Sequence, residues 1–214
     1  MKELKFLDKK TINSILGKMG KSRKIKDLRI ISFPRLYNYL NKKEIELIEN
    51  FLKLNPGKYG FKGKFFGIKK APKNLGTIKE QYLPKPVYLA FRRMNKALED
   101  ETGRKLLIDS GYRSPACQTV LFLRSLKLHK FNFSKTAKRI AFPGYSEHGN
   151  PERQAIDFIT VEGVPSDKKP SGFEKTKEFK WLMKNADRFG FYLSYPKNNK
   201  DGIIYEPWHW RFGG

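Results

Sequence analysis

The residues with the most chemistry in the fewest positions stand near the end of this 214-residue chain. Tyr205-Glu206-Pro207-Trp208-His209-Trp210-Arg211 gathers a carboxylate, an imidazole, a guanidinium and two indoles, in a sequence with only three histidines. A neutral imidazole is the commonest metal ligand. A carboxylate three positions before it could take a proton from water rather than bind the metal. Pro207 lacks an N–H and restricts the residue before it, so the segment reads as extended or bulged, not helical. Taken alone, ordinary burial habits favour a plainer reading, an aromatic edge strand with a surface histidine.

A second histidine has comparable company. His148 follows a turn, and Asp157 stands nine positions later on an expected strand. Two histidines and an aspartate make a competent catalytic zinc set, because zinc takes N and O ligands at ~2.0–2.2 Å and keeps one position open. Such a metal lowers the pKa of water to about 7. Glu206 would then be the general base, and Arg113, on a turn leaving a strand, could stabilise an oxyanion. The same residues also read as a surface His148–Asp157 pair, a surface salt bridge at Arg113, and core filling by Trp208 and Trp210. Cys117 is the only cysteine, which excludes an intrachain disulfide and a Cys-based zinc knuckle. It reads as a packed, inert thiol. His129 reads as exposed.

The elements that must position these groups come from periodicity and punctuation. In residues 1–80, a lysine-rich segment, Thr11 is the expected cap of a helix with Ile12, Ile15, Leu16 and Met19 on one face. Asn41 caps a second, carrying Ile45, Ile48, Phe51 and Leu52. Tyr59 to Ile68 reads as one or two short strands, and Lys21 to Lys26 as a basic, solvated run. Residues 81–214 form the expected catalytic domain. Here Val87, Ala90, Phe91, Met94 and Leu98 stripe a helix ended by Gly103. Lys105 to Asp109 reads as a buried strand, and Pro115 opens a helix with Val120, Leu121, Leu123 and Leu126 inward. Gln154 to Val161 reads as a strand, with Ala155 and Asp157 on one face. Phe173 to Phe189 reads as one helix with Phe179, Leu182, Met183 and Ala186 inward. Phe191 to Tyr195 and Ile203 to Arg211 read as paired strands. The fold class is α+β with a mainly antiparallel sheet.

Composition sets the outer limits. Hydrophobic residues at 39% and aromatics at 14% suit a folded chain, and the net charge of +24 calls for an anionic partner such as nucleic acid, a membrane surface or a cell-wall polymer. No run approaches ~20 apolar residues, so no membrane span is expected. No signal peptide is visible, since the N-terminus has no apolar stretch of that kind.

Several ordered motifs together resemble the VanY-type zinc D-alanyl-D-alanine carboxypeptidases, relatives of VanX dipeptidases and L,D-carboxypeptidases. They are Ser-Gly-Tyr-Arg-Ser at Ser110–Ser114 with Gln118 following, Pro-Gly-Tyr-Ser-Glu-His at Pro143–His148, Ala-Ile-Asp at Ala155–Asp157, Trp-Leu-Met-Lys-Asn-Ala at Trp181–Ala186, and Tyr-Pro at Tyr195–Pro196. Glu-Pro-Trp-His-Trp-Arg at Glu206–Arg211 completes the set. The resemblance implies a hedgehog-like peptidase fold, with His148, Asp157 and His209 as Zn2+ ligands, Glu206 as base and Arg113 stabilising the transition state. It places Ser146 and Gln118 near the bound peptide terminus, with Tyr112, Ser114 and Trp208 as further candidate substrate contacts. It implies a peptidoglycan stem peptide as substrate and a location at the cell envelope. The basic surface would face an anionic wall polymer, and nucleic acid is disfavoured. Two departures bear on specificity. The connection from His148 to Asp157 is two residues longer than the family's, with Arg153 where the family has glycine, and Ser194 stands where many relatives carry arginine. The expected activity is carboxypeptidase. An endopeptidase on the same fold and a non-catalytic wall- or nucleic-acid-binding protein are the alternatives.

Overall fold

The computed structural model describes residues 7–21, 28–68, 71, 75–78, 81–150, 153–164 and 170–213. In chain order these include helices α1 (Lys9–Lys21), α2 (Phe33–Tyr37) and α3 (Lys42–Leu52), then strands β1 (Leu75–Ile78) and β2 (Gln81–Pro84). Helix α4 (Lys85–Thr102), strand β3 (Leu106–Ser110), helices α5 (Pro115–Leu128) and α6 (Phe133–Ala137) and strand β4 (Ala155–Thr160) follow. Helices α7 (Pro170–Glu174) and α8 (Lys177–Asn185) and strands β5 (Phe191–Leu193) and β6 (His209–Phe212) complete the order. The chain divides into two compact units. One comprises Met1–Ala71, Ser114–Ser146 and Asp201–Ile203; the other comprises Pro72–Arg113, Glu147–Lys200 and Ile204–Gly214. No helix among the described residues is long and apolar enough to cross a membrane.

The first unit is helical. Its core joins Ile12, Ile15 and Met19 of α1 and Leu47, Ile48 and Phe51 of α3 to Val120, Phe122, Leu123 and Leu126 of α5. The Phe51 ring lies 4.5 Å from Phe142 and 5.2 Å from Phe122 between centroids, a spacing favourable for tilted aromatic pairs. Asn41 caps α3 as expected, in a reciprocal capping box with Glu44. The Glu44 carboxylate is buried, so it needs partners; it accepts from Ser14 Oγ at 2.7 Å and Lys18 Nζ at 2.6 Å.

Three expectations change in this unit. Helix α1 starts before Thr11, because the Asp8 carboxylate accepts the backbone N–H groups of Lys10 and Thr11 and also the Thr11 hydroxyl. Tyr59 to Ile68 forms no strand: a 3-10 turn spans Pro56–Tyr59 and ends on left-handed Gly60. Beyond it Phe61 packs edge-on against Tyr145. The expected division at residue 80 falls within the β1–β2 hairpin of the other unit, because the apolar faces of the N-terminal helices close on α5 instead of forming a core of their own. Ser22 to Lys26 of the basic run lies outside the described residues.

The second unit holds a four-stranded antiparallel sheet in the order β3-β4-β6-β5. Helix α4 buries the expected stripe and ends at Gly103, whose φ of 68° suits a residue without Cβ. That stripe shares a core with Leu106, Ile156, Phe158 and Trp210. The single helix expected over Phe173 to Phe189 is broken in two, because the Thr176 hydroxyl accepts the Phe179 N–H and starts α8 afresh. Trp181 turns inward with its indole N–H on Glu101 Oε2 at 2.7 Å, and Met183, expected inward, is exposed. Of Ile203 to Arg211, only Trp210 and Arg211 pair with β5, consistent with Pro207 having no N–H to give a ladder.

Candidate active site

The centre of the second unit is a cross-strand pair. Register sets Asp157 of β4 directly opposite His209 of β6, and His209 Nδ1 lies 2.8 Å from Asp157 Oδ1. On the other side of β4, Ser110 faces Asp157 after a register shift between Ile108 and Ser110. Such bulges re-aim a strand, and the chain leaves along Gly111-Tyr112-Arg113. Gln81 clamps this exit, donating to Asp109 O at 2.8 Å and accepting from the Gly111 N–H at 3.2 Å. The Tyr112 N–H donates to Tyr82 O. Gly111 has no room for a side chain, since a Cβ there would sit 2.4 Å from Tyr82 O.

That crowded segment holds His148. Gly111 O accepts from His148 Nδ1 at 2.7 Å, and the Arg113 N–H donates to His148 O at 3.0 Å. A carbonyl can only accept, so Nδ1 carries the proton and Nε2 presents its lone pair. Nε2 lies 3.1 Å from Asp157 Oδ2. Burial, aided by the Arg113 charge, lowers the His148 pKa to about 4, so the ring is neutral at pH 7. A lone pair and a carboxylate oxygen then face each other with no proton between them, an arrangement that a cation satisfies. The ligand atoms of His148, Asp157 and His209 all lie within 4.8 Å of one another. Two imidazoles and one carboxylate suit zinc. The donor set fits the metal.

The remaining charges follow from the same geometry. Burial would raise the Asp157 pKa, but the two histidines hold it well below the ordinary value. Burial would lower that of His209, but hydrogen bonds to Asp157 and Glu147, with their charges, lift it to about 10. Burial lifts Glu206 to about 7, with the Asp157 charge adding to the rise and His209 opposing it. Its Oε2 lies 4.0 Å from His209 Nδ1. Arg113 Nη2 lies 3.5 Å from Asp157 Oδ2, and its buried Nε meets no acceptor among the described residues. Glu147 Oε2 lies 3.0 Å from His209 Nε2; burial would raise its pKa, but the His209 contact outweighs this and lowers it.

The Glu206–His209 segment is a closed turn. The His209 N–H donates to Glu206 O and the Glu206 N–H to Tyr195 O, both at 3.1 Å. The Trp210 indole donates to Pro207 O at 2.9 Å. The Tyr195 ring stacks on the His209 imidazole, 4.9 Å between centroids and 29° apart.

The structure brings together His148, Asp157, His209, Glu206 and Arg113. Of the candidate substrate contacts, Tyr112 is fully buried and Trp208 lies in the core cluster. Ser114, Gln118 and Ser146 belong to the first unit. There the Ser114 hydroxyl donates to Ile31 O and caps α5 by accepting from the Cys117 N–H. Gln118 donates to Ala141 O, and Ser146 is buried. Cys117 is a buried thiol outside any disulfide, and His129 is half-buried, bonded to Ser125 O through Nδ1. Three participants were not flagged by spacing: Glu147, the Gly111 carbonyl and the Tyr195 ring. The first stood in the Ser-Glu-His motif without a role. The lengthened connection after His148 leaves both of its ligands in place; Pro151 and Glu152 lie outside the described residues, and Arg153 is exposed.

The family described as "VanY: D-alanyl-D-alanine carboxypeptidase" matches residues 80–214. YodJ of Bacillus subtilis (strain 168), named for a carboxypeptidase, is 34% identical over 145 residues, covering 64% of this chain and 48% of YodJ. The bifunctional D-Ala-D-Ala dipeptidase and carboxypeptidase VanXYC of Enterococcus gallinarum is 31% identical, over 62% of this chain and 68% of VanXYC. This chain thus spans about half the length of YodJ. Among solved structures, the LD-carboxypeptidase LdcB matches with a TM-score of 0.61 and 29% identity, over 75% of this chain and 78% of LdcB. A mutant of the D,D-pentapeptidase VanY in complex with Zn(II) matches with a TM-score of 0.54 and 23% identity, over 70% of this chain and 80% of that one. These neighbours bear out the α+β, hedgehog-like peptidase fold. With its matched region taking in all three candidate ligands and Glu206, the chain belongs to the VanY family of D-alanyl-D-alanine carboxypeptidases.

Proposed function

We propose that this chain is a zinc-dependent carboxypeptidase that removes the C-terminal D-alanine from peptidoglycan stem peptides. The observation that carries the reading is the convergence of His148 Nε2, the Asp157 carboxylate and His209 Nδ1, with Glu206 beside them. His148, Asp157 and His209 would hold the zinc, which supplies Lewis acidity for amide hydrolysis when bound. Glu206 takes the proton of the attacking water and passes it to the departing amine, a task suited to a carboxyl group tuned near neutral pH. Arg113, with a buried and unsatisfied Nε, offers a fixed cation for charge developing on the scissile carbonyl oxygen. The substrate places the enzyme outside the cytoplasmic membrane, where its net charge of +24 favours association with anionic wall polymer.

A second reading, L,D-carboxypeptidase, is favoured by the likeness to LdcB. Mass spectrometry of digested muropeptides separates the possibilities. Loss of one D-Ala from pentapeptides supports the D,D-activity, the same loss from tetrapeptides supports the L,D-activity, and split chains would replace both with an endopeptidase. Stoichiometric zinc and abolition of turnover by a chelator are expected. Glu206→Gln should lower kcat by at least ~100-fold while zinc still binds; full turnover in that variant would end the mechanism.

A further inference from the structure

The proposed chemistry leaves one half-buried carboxylate at the site without a task. Glu147 opens the 3-10 turn Glu147–Gly149 that also carries His148, and its Oε2 lies 3.0 Å from Nε2 of the other histidine, His209. The opposite nitrogen, Nδ1, faces Asp157 Oδ1 at 2.8 Å. A carboxylate accepts hydrogen bonds, so the proton of that contact resides on His209 Nε2. We infer that Glu147 is a positioning residue that fixes His209 in the Nε2–H form and thereby commits Nδ1 to the metal. The inference rests on the zinc reading above.

Neighbouring groups do not do the same work. The Tyr195 ring stacked on His209 fixes the plane of the imidazole but is indifferent to which nitrogen holds the proton. The ladder partner Asp157 meets Nδ1 alone. Glu147 is also joined to the first ligand through the backbone. One short turn supplies His148 as a ligand and the orienting group for His209, so a displacement of that turn disturbs both. Outer partners of this kind, a carboxylate on the far nitrogen of a metal-binding imidazole, set ring orientation and ligand basicity.

The test uses the full chain as wild type, Glu147→Ala and Glu147→Gln. Zinc dissociation constants are read by competition with a chromophoric chelator, and histidine protonation by side-chain 15N NMR. Glu147→Ala should weaken zinc by ~10–100-fold. Glu147→Gln should remain within several-fold of wild type, because its amide oxygen still accepts the Nε2–H. Zinc-loaded wild type should show His209 protonated at Nε2 and metallated at Nδ1. Equal zinc affinity in all three proteins, equal losses in the two variants, or a metal on Nε2 would each overturn the assignment. Thermal unfolding of the metal-free variants identifies any loss due to misfolding, against which the near-isosteric glutamine variant is the control. If wild type takes up no zinc, the proposed function falls. The metal-free spectrum still decides Glu147: a downfield, slowly exchanging His209 Nε2–H signal, lost in Glu147→Ala, supports it, and absence of that signal in wild type overturns it.

Discussion

The two histidines on either side of Asp157 are held by opposite means. His148 leans on a backbone carbonyl, that of Gly111, in a segment too crowded for any side chain at position 111. His209 leans on two carboxylates and on an aromatic face. The first arrangement is set by backbone packing and leaves a neutral ring. The second is set by charge and leaves a cation, which would have to give up a proton to bind metal. A three-ligand site can thus be half preformed as a lone pair and half stored as an ion pair, and the two halves should respond differently to every perturbation that distinguishes packing from charge.

The largest expected effect is the simplest. Alanine at His148 or at His209 should each weaken zinc by more than ~100-fold, beyond the loss of an outer partner, as measured by chelator competition. Retention of zinc after either change would show that the two sides are not one site. The pH dependence of stability in the metal-free protein separates them next. The folded pKa of His148 is depressed, to about 4, so the unfolded chain binds its proton more readily, and stability is lost as pH falls from about 6.5 towards 4. That of His209 is raised, to about 10, so its contribution is full below about 6.5 and is lost as pH rises towards 10. Denaturant unfolding across pH should therefore show an acid limb flattened by His148→Asn and an alkaline limb flattened by His209→Asn, each on the order of a few kcal/mol. Exchanged limbs would invert the comparison. The smallest effect is predicted for Gly111→Ala, which should destabilise by about 1–3 kcal/mol through overpacking and weaken zinc by disturbing the carbonyl on His148. The alkaline limb belonging to His209 should be unchanged.

Much of this half-and-half design was legible in the amino-acid order. His148, Asp157, Glu206 and His209 could be grouped because zinc chemistry demands those residue types and because turns and strand alternation fix where they point. Helix α4 and the cap at Asn41 were legible for similar local reasons. Glu147 was not, since its task depends on a contact 62 positions away with His209, and no local period encodes such a distance. Nor was the carbonyl of Gly111, because a backbone acceptor leaves no mark in composition. The break at Thr176 was hidden beneath a continuous apolar pattern, in which a hydroxyl competing for a backbone N–H outweighs the hydrophobic period. At the N-terminus, Asp8 outcompeted Thr11 as cap because its carboxylate reaches two N–H groups and the threonine hydroxyl together.

The pairing of Asp157 with His209 across β4 and β6 has a consequence for how the protein matures. Side chains alternate between the faces of a strand, so a slip of one residue would send one of these ligands to the far side of the sheet. On the zinc reading proposed above, metal uptake would be a checkpoint on assembly, since a chain whose strands had annealed out of step would offer no complete claw. A zinc ion retained by this protein would certify that its two central strands have met in the correct alignment.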